Sequence, residues 1–523
     1  MKKIMIFAAA LSIGICAQAQ EMIFDALSWS EYDYSGTART MGMGNAVTAV
    51  GGDPGTFMIN PAGGAVSPYS QVEFTPGGSV SISQTSWSSG RQQRGPFKDS
   101  NAMFVFPNGG FSFNFDTGNM SGLVRWSFGF TANATNIYNS VFSGGGENPS
   151  SSFAAYLASY ANDNRLPAAD LKYYNTDYCC SAAYNTYVID RMADYIEDWY
   201  IGTTENFDEY GDRYLAGSVN QSDRHKVAGT KMDYVINFGF NISNIVYLGA
   251  NLGITNLNYN LTDGINESAV NRSLFETGFR EMSYSYWFKA VGTGVYGKFG
   301  IIATPIDGLR LGAAIQTPTE LRITEFVQHS MTHDYDKHGI SSSPQSNWTY
   351  KVVSPMRFNL GAAYTIANVA LISVDYERAD YGSMFYRENE FSDRAYFENL
   401  NSQIKGIQGE DRYRLRASDM VRAGIEVKPI PEFAIRAGYN FTSSGRQDRE
   451  NLQSASFGLG YISKGSFYCD VAAKLMFMPS EEFKVYDDYS YPDYTGEQLV
   501  FNGPVMSGTS KLVNFVGTVG WRF

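Results

Sequence analysis

The sequence predicts an all-β transmembrane fold: an outer-membrane β-barrel of about 14 antiparallel strands, with an N-terminal plug and a helical extracellular insertion. Three observations predict it. Many segments alternate between apolar and polar side chains, and the connections between these segments alternate between short and long. The two ends of the chain also resemble those of secreted barrel proteins.

Residues 1–19 have the three parts of a cleavable secretory signal peptide. A basic start precedes an apolar run that is too short to cross a bilayer as a helix, and small residues end at Ala19. Cys16 raises the alternative of a lipoprotein signal, but the bulky Ile15 stands where a small residue is needed. We therefore predict cleavage after Ala19.

The other end of the chain is an alternating segment that closes on Phe523. A terminal phenylalanine after such a segment resembles the signal that outer-membrane barrels present to the barrel assembly machinery. We therefore predict that machinery and the lipids of a Gram-negative outer membrane as partners. Of the cysteines outside the signal, Cys179 and Cys180 are adjacent, and a bridge between them would be strained, so we predict two free thiols.

The composition of the 523-residue chain suits a membrane barrel. Aromatic residues make up 15% of it, with 52 Gly, 36 Tyr and only 17 Pro, while charged residues keep the chain mildly polar overall. Apolar side chains would face lipid and polar ones the lumen. The net charge of −12 and the lack of a basic stripe exclude nucleic acid as a partner.

The alternation is clearest in residues 231–242. Met232 and every second residue after it are apolar, whereas Lys231, Asp233, Asn237 and Asn241 lie on the opposite face. Residues 420–428, 432–441 and 513–523 repeat the pattern. A soluble antiparallel sandwich would alternate in the same way.

The connections favour the barrel over the sandwich. Short turns are predicted near residues 242–244, 305–308, 367–368, 428–432 and 463–465. Long connections are predicted over residues 143–230, 261–281, 325–347, 380–412 and 479–510. Short periplasmic turns and long outer loops must alternate in a membrane barrel, whereas a sandwich has no such requirement. We therefore assign residues 69–523 to the barrel.

The largest insertion, residues 143–230, has helix-like spacing of its apolar residues. Tyr187, Met192, Tyr195, Ile196 and Trp199 approximate one helical face. We interpret the insertion as a helical outer loop over the barrel mouth. Whether it contacts a ligand or only caps the barrel stays open at this stage.

Motifs for catalysis or cofactors are weak, so we predict no enzymatic activity and no cofactor. The glycine pattern at residues 292–297 lies inside a predicted strand and therefore does not indicate dinucleotide binding. Asp375 and Glu377 lie on the polar face of a strand, where they would line the lumen. His329, His333 and His338 fall in one predicted loop, which leaves a metal or haem contact as an alternative to a solvated loop.

The residues between the signal and the first clear strand, near Gln71, show no strand alternation. The turns at Gly51, Gly52 and Asp53 separate apolar residues rather than polar ones, so a solvated linker is excluded. Irregular backbone is tolerated at membrane depth only where protein or a cavity surrounds it. We therefore interpret residues 20–68 as a plug inside the barrel; the alternative is a periplasmic tail.

These residues also resemble a known family. Residues 37–44 (TARTMGMG), the turn Gly51-Gly52-Asp53 and the motif Asn60-Pro61-Ala62 are similar to the start of the FadL/TodX-type outer-membrane transporters. Residues 309–324, 356–384 and 421–441 resemble the family as well, especially members from Bacteroidetes-like bacteria. The large insertion and the residues before Gly36 depart from it.

The resemblance implies a 14-stranded barrel that takes up hydrophobic compounds such as long-chain fatty acids without an energy source. It further implies a ligand pocket beside the plug and a lateral exit at an inward kink of the third strand. Phe57, Met58 and Ile59 are our candidates for ligand contacts. Gly129 is our candidate for the wall kink, or else a glycine that leaves room for a plug residue.

Two other functions stay open from the sequence. A FadL-like barrel can serve as a scaffold or shuttle in protein secretion, and the three histidines would suit a haem-binding surface protein. The favoured hypothesis is a monomeric channel for hydrophobic small molecules, because a fatty acid gains roughly 0.8 kcal/mol per buried CH₂ and is poorly served by a water-filled pore.

Overall fold

Fourteen antiparallel strands close into one barrel in the described part of the chain. The computed structural model describes residues 15–90, 92–192, 199–335, 338–367, 369–388, 393–409, 411–463, 466–493 and 495–523. The last strand pairs with the first, with Arg522 opposite Gln71 and Val505 opposite Ser88. The predicted fold class is confirmed, and the soluble sandwich is excluded because the sheet closes on itself.

The strands follow one another around the wall in chain order, and four of them are interrupted. They are β1 (Gln71–Ser89), β2 (Gln92–Asp116), β3 (Leu123–Asn148), β4 (Val219–Ile242), β5 (Val246–Ala269), β6 (Glu281–Ile306), β7 (Leu309–Gln316 and Glu320–Asp334), β8 (Ser346–Val353 and Arg357–Ile366), β9 (Ala370–Asp380 and Phe385–Arg387), β10 (Ala417–Ile430), β11 (Phe433–Thr442), β12 (Leu452–Ile462), β13 (Phe467–Phe477 and Glu481–Lys484) and β14 (Val505–Arg522). Pro318 and Pro355 lie in the breaks of β7 and β8, since proline cannot donate to a ladder.

The helices and the smaller strands are not part of the fourteen wall strands. The α-helices are α1 (Ile15–Ser30), α2 (Ala38–Gly42), α3 (Phe153–Asp163), α4 (Ala168–Lys172), α5 (Tyr178–Asn185) and α6 (Arg394–Ile404), and the 3₁₀ turns are Pro54–Thr56, Pro61–Ala65, Arg272–Leu274, Tyr381–Ser383 and Asp411–Tyr413. Short hairpins pair Ile189–Arg191 with Tyr200–Gly202, Glu205–Phe207 with Arg213–Leu215, and Tyr489–Pro492 with Gln498–Phe501, while His338–Ser342 pairs with β7. No helix in the described ranges is long and apolar enough to cross a membrane.

The two faces of the wall separate as the alternation predicts. On β4, Tyr234, Phe238 and Phe240 are 39%, 45% and 41% exposed, whereas Asp233 and Asn237 are fully buried. The same reversal of a soluble protein's pattern recurs on other strands, where large apolar residues point outward and polar ones inward. The outer surface is therefore suited to lipid.

The two ends of the barrel differ as predicted. At one end short turns join β4 to β5, β6 to β7 and β10 to β11, and at the other end lie the long connections. The predicted bounds of the long connections were too wide, because β3 continues to Asn148 and β4 begins at Val219. At 26 residues, β3 is about 85 Å long, far more than the apolar band of about 25 Å needs.

The connection between β3 and β4 is therefore residues 149–218, of which residues 193–198 lie outside the described part of the chain. Helices α3 and α5 pack with the hairpins and with residues from other outer connections, around Phe153, Leu157, Tyr200, Phe279 and Tyr489. The sequence predicts a helical insertion here, and α3, α4 and α5 lie in its first part. The predicted helical face over residues 187–199 was wrong at Ile189–Arg191, which is a strand, and residues 193–198 of that prediction lie outside the described residues. Burial raises the pKa of the Cys180 thiol within the insertion, and both Cys179 and Cys180 are free, as predicted.

Candidate functional site: the lumen and its N-terminal segment

The residues before β1 pack against inward-facing side chains of the barrel. We call residues 31–67 the lower segment, and nearly all of them are buried. Their turns start on side-chain caps: Thr37 accepts from the Thr40 amide, Asp53 from Gly55 and Asn60 from Ala62. Pro54 and Pro61 occupy the first position of each 3₁₀ turn, where the missing N–H costs nothing.

The Asn60-Pro61-Ala62 motif joins two turns to the wall. The Asn60 side-chain amide donates to the Thr48 carbonyl at 2.7 Å and to the Ile301 carbonyl of β6 at 3.1 Å. The Pro61 carbonyl accepts from Asn237 of β4 at 2.9 Å. Ala62 is fully buried. These contacts give the motif a structural role, and no polar atom of Asn60 is free to bind a ligand.

Gly51, Gly52 and Asp53 line a cavity of about 390 Å³ between the lower segment and the wall. Both glycines adopt positive φ angles of 66° and 82°, which L side chains rarely adopt. The cavity lies near the short turns, and charged side chains of the wall line it: Arg310, Glu426, Lys428, Arg436, Asp470 and Arg522. Apolar residues such as Val66, Phe433 and Ile462 line it as well, but a hydrophobic ligand there would desolvate the charged groups at a cost.

The predicted ligand contacts Phe57, Met58 and Ile59 are each 1% exposed. They line neither this polar cavity nor a small one beside Tyr34. Their backbone is held by the wall, because Asn251 donates to the Phe57 carbonyl at 2.7 Å and Lys298 to the Met58 carbonyl at 2.9 Å. A ligand would reach these side chains only after the segment moves.

Gly129 pairs with Ser112 of β2 and Asn237 of β4, and the ring of Phe57 packs on it. A Cβ atom at Gly129 would lie 2.6 Å from Phe57 Cε2. Of the two interpretations of Gly129, a wall kink or a glycine that leaves room for a plug residue, this contact favours the latter. A register irregularity of β3 falls between Ala134 and Asn136 rather than at Gly129.

Gly129 is one member of a larger set. On nine strands a glycine faces the lower segment so closely that a Cβ atom would come within about 3 Å of it. We call this set the glycine belt: Gly129, Gly239, Gly249, Gly300, Gly312, Gly361, Gly424, Gly438 and Gly458. The belt was not predicted from the sequence, although the recurrence of glycine in one alternating strand after another could have indicated it.

A buried charge network on β8, β9 and β10 also contacts the lower segment. Arg422 of β10 lies 2.9 Å from Glu377 and 3.7 Å from Asp375, and Arg357 lies 3.1 Å from Glu377. Thr48 of the segment donates to Asp375 from both its amide and its hydroxyl, at 2.8 and 2.7 Å. Asp375 and Glu377 thus line the lumen, as predicted.

The outer half of the lumen is apolar. Inward-facing residues of β3 to β9 and of α6 form a chamber wall that includes Tyr138, Leu257, Tyr259, Phe288, Ile323, Tyr350 and Phe397. Helix α1 fills this chamber with Met22, Ile23, Ala26, Leu27 and Trp29. Residues 20–30 belong to the predicted plug, but no helix was predicted there, although this spacing of apolar residues is helical.

The wall is interrupted between β2 and β3. Their ladder runs only from Asp116–Arg125 to Asn108–Asn133, and β3 then has an irregularity at Thr135 and continues along β4 alone. Beyond this point side chains close the seam. Asn101 donates to Asn139 at 2.8 Å, and Val105 packs with Ala134 and Ile137.

The predicted histidine loop was wrong, because His329 and His333 lie on β7. His329 Nδ1 is 2.8 Å from the Tyr284 hydroxyl, and His333 Nδ1 is 3.0 Å from the Thr186 carbonyl. The side chain of His338 lies outside the described residues. In the described ranges, no group of three or more His, Cys, Asp or Glu residues could hold a metal ion.

Comparison with known proteins is informative at the level of structure. No protein-family model and no curated protein sequence matches the chain. A solved FadL homologue of Pseudomonas aeruginosa covers 94% of this chain and 99% of its own, with a TM-score of 0.51 and 11% identity. The chain has the FadL-type barrel fold. The toluene transporter TodX of P. putida has the same coverage, a TM-score of 0.48 and 14% identity.

The FadL-type fold confirms the resemblance that the sequence predicted. The closed barrel with an apolar outer surface is an outer-membrane protein of a Gram-negative bacterium, because such barrels span that membrane. This FadL-type barrel combines an apolar outer chamber, a polar cavity near the short turns and an interrupted wall.

Proposed function

We propose that the barrel carries hydrophobic compounds, such as long-chain fatty acids, across the outer membrane, with residues 20–68 as its plug. A ligand enters the outer chamber and leaves sideways through the seam between β2 and β3. The observation that carries the proposal is the position of this seam, since Asn136 and Tyr138 just beyond the last β2–β3 pair both donate to the Ser28 carbonyl of α1 in the chamber.

A sideways path keeps an apolar ligand out of water. The polar cavity and the buried charge network occupy the lower lumen, where an apolar chain would lose its hydrophobic stabilisation. The seam instead offers apolar side chains on both strands, among them Val105, Ala134 and Ile137. Its closure depends on side chains rather than on a backbone ladder, so it can open without unfolding the wall.

Cross-linking the seam tests the lateral exit. We expect the pair Asn101→Cys and Asn139→Cys, joined by a short thiol cross-linker in a background without other cysteines, to reduce uptake at least about tenfold because the path is closed. The measurement is uptake of labelled fatty acid and of toluene by a host that lacks its own channel. Reductant should restore uptake if the linker contains a disulfide.

The matched control joins β7 to β8 with Thr324→Cys and Thr349→Cys, whose hydroxyls are 2.9 Å apart in a continuous ladder. This pair should leave uptake unchanged. Equal uptake by both cross-linked proteins would contradict the lateral exit. Failure of the uncross-linked protein to raise uptake of any hydrophobic compound would contradict transport, and a co-purifying protein partner would then favour a secretion scaffold.

A further inference from the structure

Helix α1 precedes the residues that resemble the FadL family, and it occupies the outer chamber as a ligand would. Met22, Ile23, Ala26, Leu27 and Trp29 are each at most 9% exposed. They pack on inward-facing apolar residues of the wall, and the Trp29 ring meets that of Tyr259 edge-on at 6.2 Å. The chamber is therefore shaped around an apolar body of this chain's own sequence.

The inner end of α1 lies on two buried cations. Lys231 of β4 donates to the carbonyls of Trp29, at 2.9 Å, and of Glu31, and Arg357 of β8 donates to the carbonyl of Ser30. Lys231 is 1% exposed and has no carboxylate within 4 Å among the described residues. The Asp233 carboxylate accepts a hydrogen bond from Tyr32 instead, at 3.1 Å.

The Lys231 ammonium contacts backbone carbonyls and the face of the Tyr32 ring, whose centroid is 4.1 Å away, rather than a carboxylate. This arrangement is unusual, because desolvating a charge is costly when no anion is in direct contact with it. The carbonyls at a helix C-terminus carry partial negative charge, and here three of them converge on Lys231 and Arg357. The helix thus presents a negative end and an apolar body, which is the pattern of an amphiphile with a carboxylate head group.

We propose that α1 is a tethered occupant that keeps the chamber filled until an anionic amphiphile displaces it, with the carboxylate taking the place of the helix carbonyls on Lys231 and Arg357. The proposal rests on the proposed transport function and adds its regulation. The outer end of α1 is held at Met22 by two hydrogen bonds, from Tyr386 of β9 to its carbonyl and from Tyr396 of α6 to its sulfur, and both must break when α1 withdraws.

A tethered occupant competes at high effective concentration, so its removal should strengthen ligand binding. The probes are a fluorescent C18 polyene carboxylic acid and the corresponding alcohol, added to the purified barrel in detergent. We expect deletion of residues 20–29 to lower the Kd for the acid at least about tenfold. Leu27→Asp should act in the same direction, because it places a carboxylate in the apolar chamber, whereas Leu499→Asp on an exposed hairpin should have no effect.

The head-group site is tested by Lys231→Met in the deletion variant. We expect the acid to bind about tenfold more weakly and the alcohol to bind as before, since only the carboxylate needs the cation. In the intact protein, the acid should shift the emission of Trp29 to longer wavelength, measured as the difference from a Trp29→Phe variant. The Trp29 emission measurement uses the full-length protein, so it does not depend on whether the deletion variant folds.

Unchanged acid affinity after removal of α1, or no change in Trp29 emission at saturating acid, would overturn the tethered-occupant proposal. Equal effects of Lys231→Met on acid and alcohol would overturn the head-group site. Either result leaves the transport function intact if cells expressing the barrel still take up toluene. A barrel that binds neither probe and raises no uptake would contradict the transport function itself.

Discussion

Replacing Arg422 with methionine is expected to lower the free energy of unfolding by about 3–5 kcal/mol or to prevent assembly. Arg422 is fully buried and is the cation that the structure places beside Asp375, at 3.7 Å. Methionine fills a similar volume but leaves the Asp375 carboxylate without that cation in a site closed to water. The measurement is urea unfolding of the barrel in lipid vesicles, followed by tryptophan emission.

The double variant Arg422→Met with Asp375→Asn should recover part of the loss, because it removes the unpaired charge. The matched control is Arg378→Met on the outer face of the wall, where Arg378 pairs with Asp419 and both are largely exposed. Its unfolding midpoint should change much less, since both groups lie at the surface rather than in the closed interior. Equal destabilisation by Arg422→Met and Arg378→Met would show that the buried network does not stabilise the barrel.

The wall could be predicted from sequence where one face meets lipid and the other meets polar atoms. Lys231, Asp233 and Asn237 are buried and their neighbours face outward. The alternation of polar and apolar residues with a period of two is therefore visible in the sequence. The outer half of β3 gives no such signal, because it is buried on both faces. Asn139 donates to Ser79 of the β1–β2 hairpin on one side, while Tyr138 donates to α1 on the other.

The candidate site was only partly predictable for a related reason. Turn residues such as Asp53 and Asn60 act within a few positions of themselves, so their local geometry follows from sequence. Lys231, Arg357 and Arg422 each have a partner that lies more than 40 residues away along the chain. Only the closed barrel brings these residues together, and the sequence alone does not say which inward-facing cation meets which segment.

Replacing Gly249 with valine is expected to expel the lower segment from the barrel. A Cβ atom on Gly249 would overlap the carbonyl carbon of Pro61 and the amide nitrogen of Ala62, and backbone atoms cannot rotate away as a side chain does. The 3₁₀ turn Pro61–Ala65 would lose its contact with β5 and the hydrogen bond from Asn237 to Pro61. A barrel of this size without its filling has a water-filled lumen.

The resulting pore is measurable as ion conductance across a planar bilayer. We expect Gly249→Val to raise the conductance roughly tenfold or more above that of the unchanged protein, because the lower segment blocks the lumen between the polar cavity and the outer chamber. Gly517→Val is the matched control, since a Cβ atom on this glycine of β14 has nothing within 4 Å. If Gly249→Val folds, remains impermeable to ions and matches Gly517→Val, the belt glycine does not determine whether the segment stays inside. Nine strands carry such a glycine. Gly438→Val, on a different strand of the barrel, should therefore open the same pore, because Gly438 faces Gly44 of the lower segment.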